Sequence, residues 1–343
     1  MDVRAVPLQT HSRKRDGLFK ERPTIYIMIL VGAFVASSAY HFRVDNIFAC
    51  PASGYTSDRY LANCDAANYG DYEHGAYWFD LEPAAVTSAA SADVLFLGDS
   101  RVQFAFSTAA TAQWFSSASI TYHLLSFVAF ENSIFARALL HRLKPTAKVY
   151  VIPVAEFFQR SEAPVAKVVM HDDAARSRYT VKRRWQFIHK AVCMKLAAIC
   201  GHAFAVFRSR RTGMWYTSQL SMFENRDRPI SYDEQIDEGK IAEAIAIGRI
   251  FLSELPVKTE CVILTVVPTV GTKVTVANAI ANGLGKLLVV PQNLDGLQTF
   301  DGTHLDHASA ERWSEAFLNT AGPQIQKCLE VTHHGGNAAA SPS

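Results

Sequence analysis

The chain has almost no net charge to offer a polyanion: 34 Lys and Arg stand against 32 Asp and Glu, a formal +2. It also lacks zinc-finger spacing, an RNA-binding signature and any long basic run, and these absences set nucleic acid aside as a partner. No internal repeat is evident. His74, His123, Glu73 and Asp71 come nearest to a metal-ligand cluster, but their spacing matches no common ligand pattern and His123 falls in an expected strand. No metal and no cofactor is therefore expected. What remains is a composition of 49% apolar and 19% charged residues, ordinary for a globular core, with disorder expected only at the ends.

Charge is missing altogether from Thr24 to Phe42, a run without Asp, Glu, Lys or Arg. As a helix rising about 1.5 Å per residue it nearly spans a hydrocarbon core of roughly 30 Å. The run predicts a single transmembrane helix over 24–42, preceded by a basic segment, 1–23, that holds Arg4, Arg13, Lys14, Arg15, Lys20 and Arg22. Only Arg43 follows closely, so the positive-inside bias puts the N-terminus in the cytoplasm and the remainder outside, in a periplasm-like compartment. Two readings compete: a signal peptide cleaved near Ser37-Ser38-Ala39, and a buried core helix. The length of the run favours the uncleaved anchor.

Six cysteines are compatible with an oxidising compartment without demanding one. Cys50 and Cys64 flank a loop in which a bridge is geometrically easy. Cys193 and Cys200 would lie about 10 Å apart in one continuous helix, beyond the roughly 7 Å limit for a disulfide, so they bond only if the helix breaks near Cys200-Gly201. Cys261 opens an expected strand and reads as a small buried hydrophobe.

Residues 43–90 read as an irregular extracytoplasmic segment wrapped on the surface. From Ala92 short apolar runs at Asp93–Leu97, Ile120–Leu125, Lys148–Pro153, Cys261–Pro268 and Leu287–Val290 predict strands. They alternate with helical patterns at Asn132–Leu143, Asp233–Leu255 and Ala308–Leu318. Such alternation implies an α/β domain over 91–330, a doubly wound, mainly parallel five-stranded sheet whose ligands sit at the carboxyl ends of the strands. An insertion at 156–232 interrupts it, rich in Lys and Arg, including Lys182-Arg183-Arg184 and Arg208, Arg210, Arg211, with Trp185, Phe187, Trp215 and Tyr216 interleaved. It reads as a helical cap with its charges on the outer face; the sharper alternative is a surface for an anionic glycan or lipid phosphates. The tail 331–343 reads as disordered, and Trp313 as core.

Two short motifs carry chemistry. Leu97-Gly98-Asp99-Ser100-Arg101 closes the first strand, and Asp301-Gly302-Thr303-His304 precedes the last helix. A serine hydroxyl is a poor nucleophile until an imidazole takes its proton and a carboxylate holds that imidazole in the right tautomer. Ser100, His304 and Asp301 fit those roles, and His307, beside Asp306, is a weaker rival base. Asp99 is expected to cap the following helix, and Arg101 either to position an anionic substrate or to form a salt bridge.

These motifs, in this order and in these strand contexts, resemble the SGNH or GDSL-type hydrolase superfamily over roughly Ser91 to Leu318, the insertion aside. The resemblance implies that Ser100 is the nucleophile and lends its own N–H to the oxyanion, with Asp301 and His304 completing the triad. The family's glycine after the second strand is replaced by Leu125-Ser126-Phe127-Val128-Ala129-Phe130-Glu131-Asn132, which leaves a backbone N–H of Ser126 or Ala129 as the oxyanion donor. Its Gly-x-Asn-Asp is replaced by Ile152-Pro153-Val154-Ala155-Glu156-Phe157-Phe158, where an ionised Glu156 nearby would repel an oxyanion. In these departures the chain is similar to the membrane-tethered branch that resembles cell-envelope polysaccharide O-acetyltransferases and esterases. That likeness implies ester chemistry on an acylated glycan or acyl donor, membrane contact through the N-terminal helix, and a membrane acyltransferase as a possible partner. The alternative is a catalytically silent SGNH-like scaffold that binds a glycan or an envelope-assembly partner through the basic insertion.

Overall fold

A computed structural model describes residues 23–44, 47–66, 69–128, 130–154, 156–218, 228–291 and 294–334. In chain order the strands are β1 (Arg59–Cys64), β2 (Gly70–Asp71), β3 (Val94–Asp99), β4 (Tyr122–Phe127), β5 (Val149–Pro153), β6 (Ala205–Ser209), β7 (Trp215–Ser218), β8 (Arg228–Pro229), β9 (Val262–Thr265), β10 (Leu288–Val289) and β11 (Gln298–Thr299). The α-helices are α1 (Pro23–Val44), α2 (Glu73–Trp78), α3 (Pro83–Ser91), α4 (Ser100–Phe106), α5 (Ala109–Ser117), α6 (Ser133–Leu143), α7 (Pro164–His171), α8 (Ala175–Cys193), α9 (Glu238–Ser253), α10 (Val274–Gly283) and α11 (His307–His334).

Five strands form a parallel sheet in the order β10-β9-β5-β3-β4. The expected α/β architecture is therefore present, each strand within a few residues of its apolar run. Because β3 and β4 are almost wholly apolar and buried, neither face can be left to water, and helices cover both. Phe96, Leu124 and Val151 pack with Phe106, Phe115, Trp313 and Phe317 of α4, α5 and α11. Leu95, Leu97, Tyr150 and Ile152 pack with Phe135, Leu139, Phe251 and Ile280 of α6, α9 and α10. The chain leaves β3 toward β4 on one side and returns to β5 on the other, so the order reverses beside the carboxyl end of β3.

The segment expected to be irregular is not a surface wrap. It contributes β1, β2, α2 and α3, and Tyr60, Leu61, Ala62, Cys64, Tyr72, Glu73 and His74 are fully buried. Its partner is the insertion, which is only partly helical: β6 and β7 complete a four-stranded antiparallel sheet in the order β2-β1-β6-β7. Local pattern could not show this, because β1 and β6 are short and pair across more than a hundred residues.

Nor is the basic stretch one solvated face. Arg208 is wholly buried: its Nη1 donates to Glu73 Oε2 at 2.9 Å, its Nη2 to the Leu124 carbonyl, and its guanidinium lies 4.6 Å from the Tyr77 ring and 4.7 Å from that of Phe127. Arg210 pairs with Glu82 at 2.7 Å, and Lys182 Nζ donates to the Asp71 carbonyl at 2.6 Å. Of the basic residues singled out, only Arg183, Arg184 and Arg211 remain exposed.

All six cysteines are bridged. Cys50–Cys64 forms as expected, and Cys193–Cys200 forms because α8 ends at Cys193 and a 3-10 turn, Ala197–Ile199, brings the Cα atoms to 5.9 Å. Cys261 is not a lone hydrophobe: it bonds Cys328 across 67 residues and pins the far end of α11 to the start of β9. That helix continues through Gly322-Pro323, where a Cβ on Gly322 would meet the Trp114 ring at 2.7 Å.

Among the described residues no helix is long and apolar enough to cross a membrane. α1 exposes Ile25, Ile27, Met28, Ile29, Leu30 and Phe34, while the side chains of residues 39 and 41–44 lie outside the described set. The basic segment 1–22 and the tail from 335 also lie outside it.

Two stability outcomes follow. Loop-closure entropy puts the Cys261–Cys328 bridge at about 4 kcal/mol and the Cys193–Cys200 bridge at about 2 kcal/mol. The double alanine variant of the first should therefore lower the urea midpoint further than that of the second. Glu73→Ala strands the buried Arg208 charge and should cost about 3–5 kcal/mol, read by urea unfolding, whereas truncating an exposed pair such as Arg137–Glu254 should change little.

Candidate active site

β3 ends in a turn that only glycine fits. Gly98 has φ +142°, and a Cβ there would lie 2.6 Å from Val102 Cγ2 and 3.0 Å from Pro153 Cγ. Asp99 then caps α4, its Oδ1 accepting the Arg101 N–H at 2.9 Å, and Ser100 becomes the first helical residue. A helix's first N–H groups have no intrahelical acceptor, so the Ser100 amide points out of the helix end beside its own hydroxyl.

The partner motif is a second tight turn, opened by Gly302 at φ +94°. Asp301 Oδ1 accepts the backbone N–H groups of Thr303 and His304, both at 2.8 Å, which turns its other oxygen toward the imidazole. His304 Nδ1 is 2.7 Å from Asp301 Oδ2, and Nε2 is 2.8 Å from Ser100 Oγ. With Nδ1–H donating to the carboxylate, Nε2 is left to accept the serine proton. Desolvation alone would raise the Asp301 pKa; the hydrogen bonds and charge of His304, with the two backbone N–H groups, outweigh it and hold the carboxyl at about 2. Asp301 thus stays ionised where the imidazole needs it.

Two rings the sequence reading passed over hold that imidazole. Phe300 stacks on His304 with centroids 5.5 Å apart and planes 18° apart, and Phe104 meets the imidazole at 4.7 Å while packing on Phe300 at 5.1 Å. A signal for each existed: Phe104 is four residues after Ser100, hence on the same helix face, and Phe300 directly precedes Asp301. His307 is apart from this group, exposed, with Glu311 at 4.0 Å.

Arg101 lies beside the serine with its guanidinium engaged. Nε donates to Asp99 Oδ2 at 2.9 Å, and Nη1 pairs with Glu156. The carboxylate that would repel an oxyanion is thereby matched by a cation. Gly98, Asp99, Arg101, Pro153, Glu156 and Lys273 are among the residues lining a cavity of about 50 Å³ where the strand order reverses. Ser126 is not in a loop but inside β4, opposite Gly98, with its carbonyl accepting Gln103 Nε2 at 2.8 Å. Ala129 lies outside the described residues.

The Asp71, Glu73 and His74 carboxylates and imidazole do converge, as a buried network. His74 Nδ1 donates to Asp71 Oδ1 and Nε2 to Glu131 Oε2, each at 2.9 Å. Burial would lower its pKa, but Asp71 first and then Glu131 push it up to about 10, so the imidazole carries its charge between the two carboxylates. Glu73 is taken by Arg208, by Trp215 Nε1 and by the Val128 N–H. His123, held between the Tyr77 hydroxyl and the Arg211 carbonyl, is kept neutral by burial.

Comparison with family models, curated proteins and solved structures finds no match to this chain. The function must therefore be argued from the geometry.

The Asp301 shift sets a pH dependence. A carboxyl lowered from 3.8 to about 2 on folding adds stability that is complete above pH 3.8 and is lost as pH falls through about 2. Urea midpoints of wild type and Asp301→Asn should differ at pH 6 and converge toward pH 2.

Proposed function

We propose that this chain is a serine esterase or O-acyltransferase of the SGNH type, acting on acyl esters of an envelope or exported glycan. The observation that carries the reading is the continuous relay from Asp301 through His304 to Ser100, placed at the carboxyl end of β3 where a parallel sheet presents its ligands. In the first half-reaction Ser100 Oγ attacks the ester carbonyl carbon while its proton passes to His304 Nε2. The Ser100 amide at the start of α4 stabilises the oxyanion, and collapse expels the alcohol, which takes the proton back from Nε2. In the second, a sugar hydroxyl or water gives its proton to His304 and attacks the acyl-serine, and as the acyl–Oγ bond breaks Oγ takes that proton back from Nε2 and leaves as the free serine. Asp301 keeps its charge throughout and balances the imidazolium.

The cellular setting is part of the same proposal. The exposed apolar side chains of α1 from Ile25 to Val35 and the absence of any charged residue from 24 to 42 support a single-pass anchor with the catalytic domain outside the cytoplasm. Three bridged cysteine pairs agree with an oxidising compartment. The glycan substrate and a membrane acyltransferase partner rest on the likeness of motifs set out above.

Covalent labelling with a fluorophosphonate tests the relay. Wild type should label, and Ser100→Ala should not, with its thermal midpoint nearly unchanged. His304→Ala should label at least about 10³-fold more slowly. A folded wild type that does not label would return the argument to a silent, ligand-binding scaffold.

A further inference from the structure

We propose that the outer face of α8, with the turn that follows it, is a docking surface that lays the domain against an anionic lipid bilayer beside its anchor. The inference rests on the anchor reading of α1. α8 turns Tyr179, Gln186, His189 and Cys193 inward. Its other side should be polar if it faced only water. Instead Phe187 is 83% exposed, with Val181, Trp185 and Ile188 exposed beside it, and the following turn adds Met194, Leu196 and Ile199.

The charges within this segment of chain have one sign. Arg183, Arg184 and Lys195 are exposed among these residues, and no Asp or Glu occurs from Ala174 to Phe223. An aromatic and aliphatic patch ringed by Arg and Lys matches a headgroup boundary: rings and aliphatic chains enter the acyl edge while the cations meet lipid phosphates.

The position of the patch names its occupant. α1 ends at Val44, and the 3-10 turn Ile47–Ala49 begins three residues later, so at most about 10 Å of chain separates them. That turn is fastened to α8 and to the turn after it. Phe48 packs on His189 at 5.6 Å, His189 Nε2 donates to the Cys50 carbonyl at 3.0 Å, and the Gly201 N–H donates to the Phe48 carbonyl at 2.6 Å. Wherever α1 leaves the bilayer, the last turns of α8 are held beside that point.

Trp185 supplies the probe, since Trp78, Trp114, Trp215 and Trp313 are buried or half-buried. The full chain would be reconstituted in vesicles of zwitterionic and anionic phospholipid carrying acyl-chain bromines near the headgroup. Co-flotation and tryptophan quenching would then be read on the same sample. Wild type should float and be quenched, and the quenching should be lost in Trp185→Phe and reduced on purely zwitterionic vesicles. Flotation without Trp185-dependent quenching would overturn the docking surface while leaving the anchor intact. Failure to float would overturn the anchor and the docking surface with it. Equal quenching on both vesicle types would overturn the assignment of Arg183, Arg184 and Lys195 to lipid phosphates.

Discussion

The buried pair of Arg208 and Glu73 is the constraint around which the rest of the molecule is arranged. Taking both ions out of water costs several kcal/mol each, and the fold offsets this by using both carboxylate oxygens of Glu73 and both Nη atoms of Arg208, leaving only Nε without a partner. Arg208 belongs to the antiparallel sheet, Glu73 to α2 and Leu124 to the edge of the parallel sheet, so one guanidinium ties three layers together. Tyr77 and Phe127 supply ring faces to the cation, and Trp215 and Val128 donate to the carboxylate. Removing either ion leaves the other without compensation in an apolar interior, which makes the arrangement close to all-or-none.

The network extends toward the serine. Glu73 holds the Val128 amide, and protonated His74 holds Glu131, so α2 pins both ends of the segment that follows β4. Within it Phe130 sits at φ +59°, a conformation an aromatic residue adopts only when its surroundings impose it. The segment that follows β4 is thus held from beneath by buried ions and contains no glycine. Arg101 plays a similar part at the opposite wall, where it balances Asp99 and Glu156 together.

Two very local turns and one long-range contact make the candidate site. Gly98 and Gly302 let the backbone turn where a Cβ or a negative φ would not, and each turn presents one reacting side chain. The stacked Phe300 and the tilted Phe104 then restrict the imidazole to the orientation in which both of its nitrogens are used. Because α11 begins just after His304 and packs on α4 and α5, the two turns are held at hydrogen-bond distance by the same helices that cover the sheet.

What the sequence alone determined is whatever depends on neighbours close along the chain. The apolar runs of β3, β4, β5 and β9 and the cap Asp99 have their physical cause within a few residues, and so do the Asp301–His304 turn and the charge-free run 24–42. Those features were legible: the parallel sheet, Ser100 at its strand end, and the spacing of Asp301 from His304. Tertiary structure decided what depends on partners far away. β1 needs β6 to become a strand, Arg208 needs Glu73 to become an interior residue, and Cys261 needs Cys328 to become a staple. A short strand or a lone basic residue has no local signature of burial, because its favourable energy comes from groups the chain brings back only after a hundred residues or more.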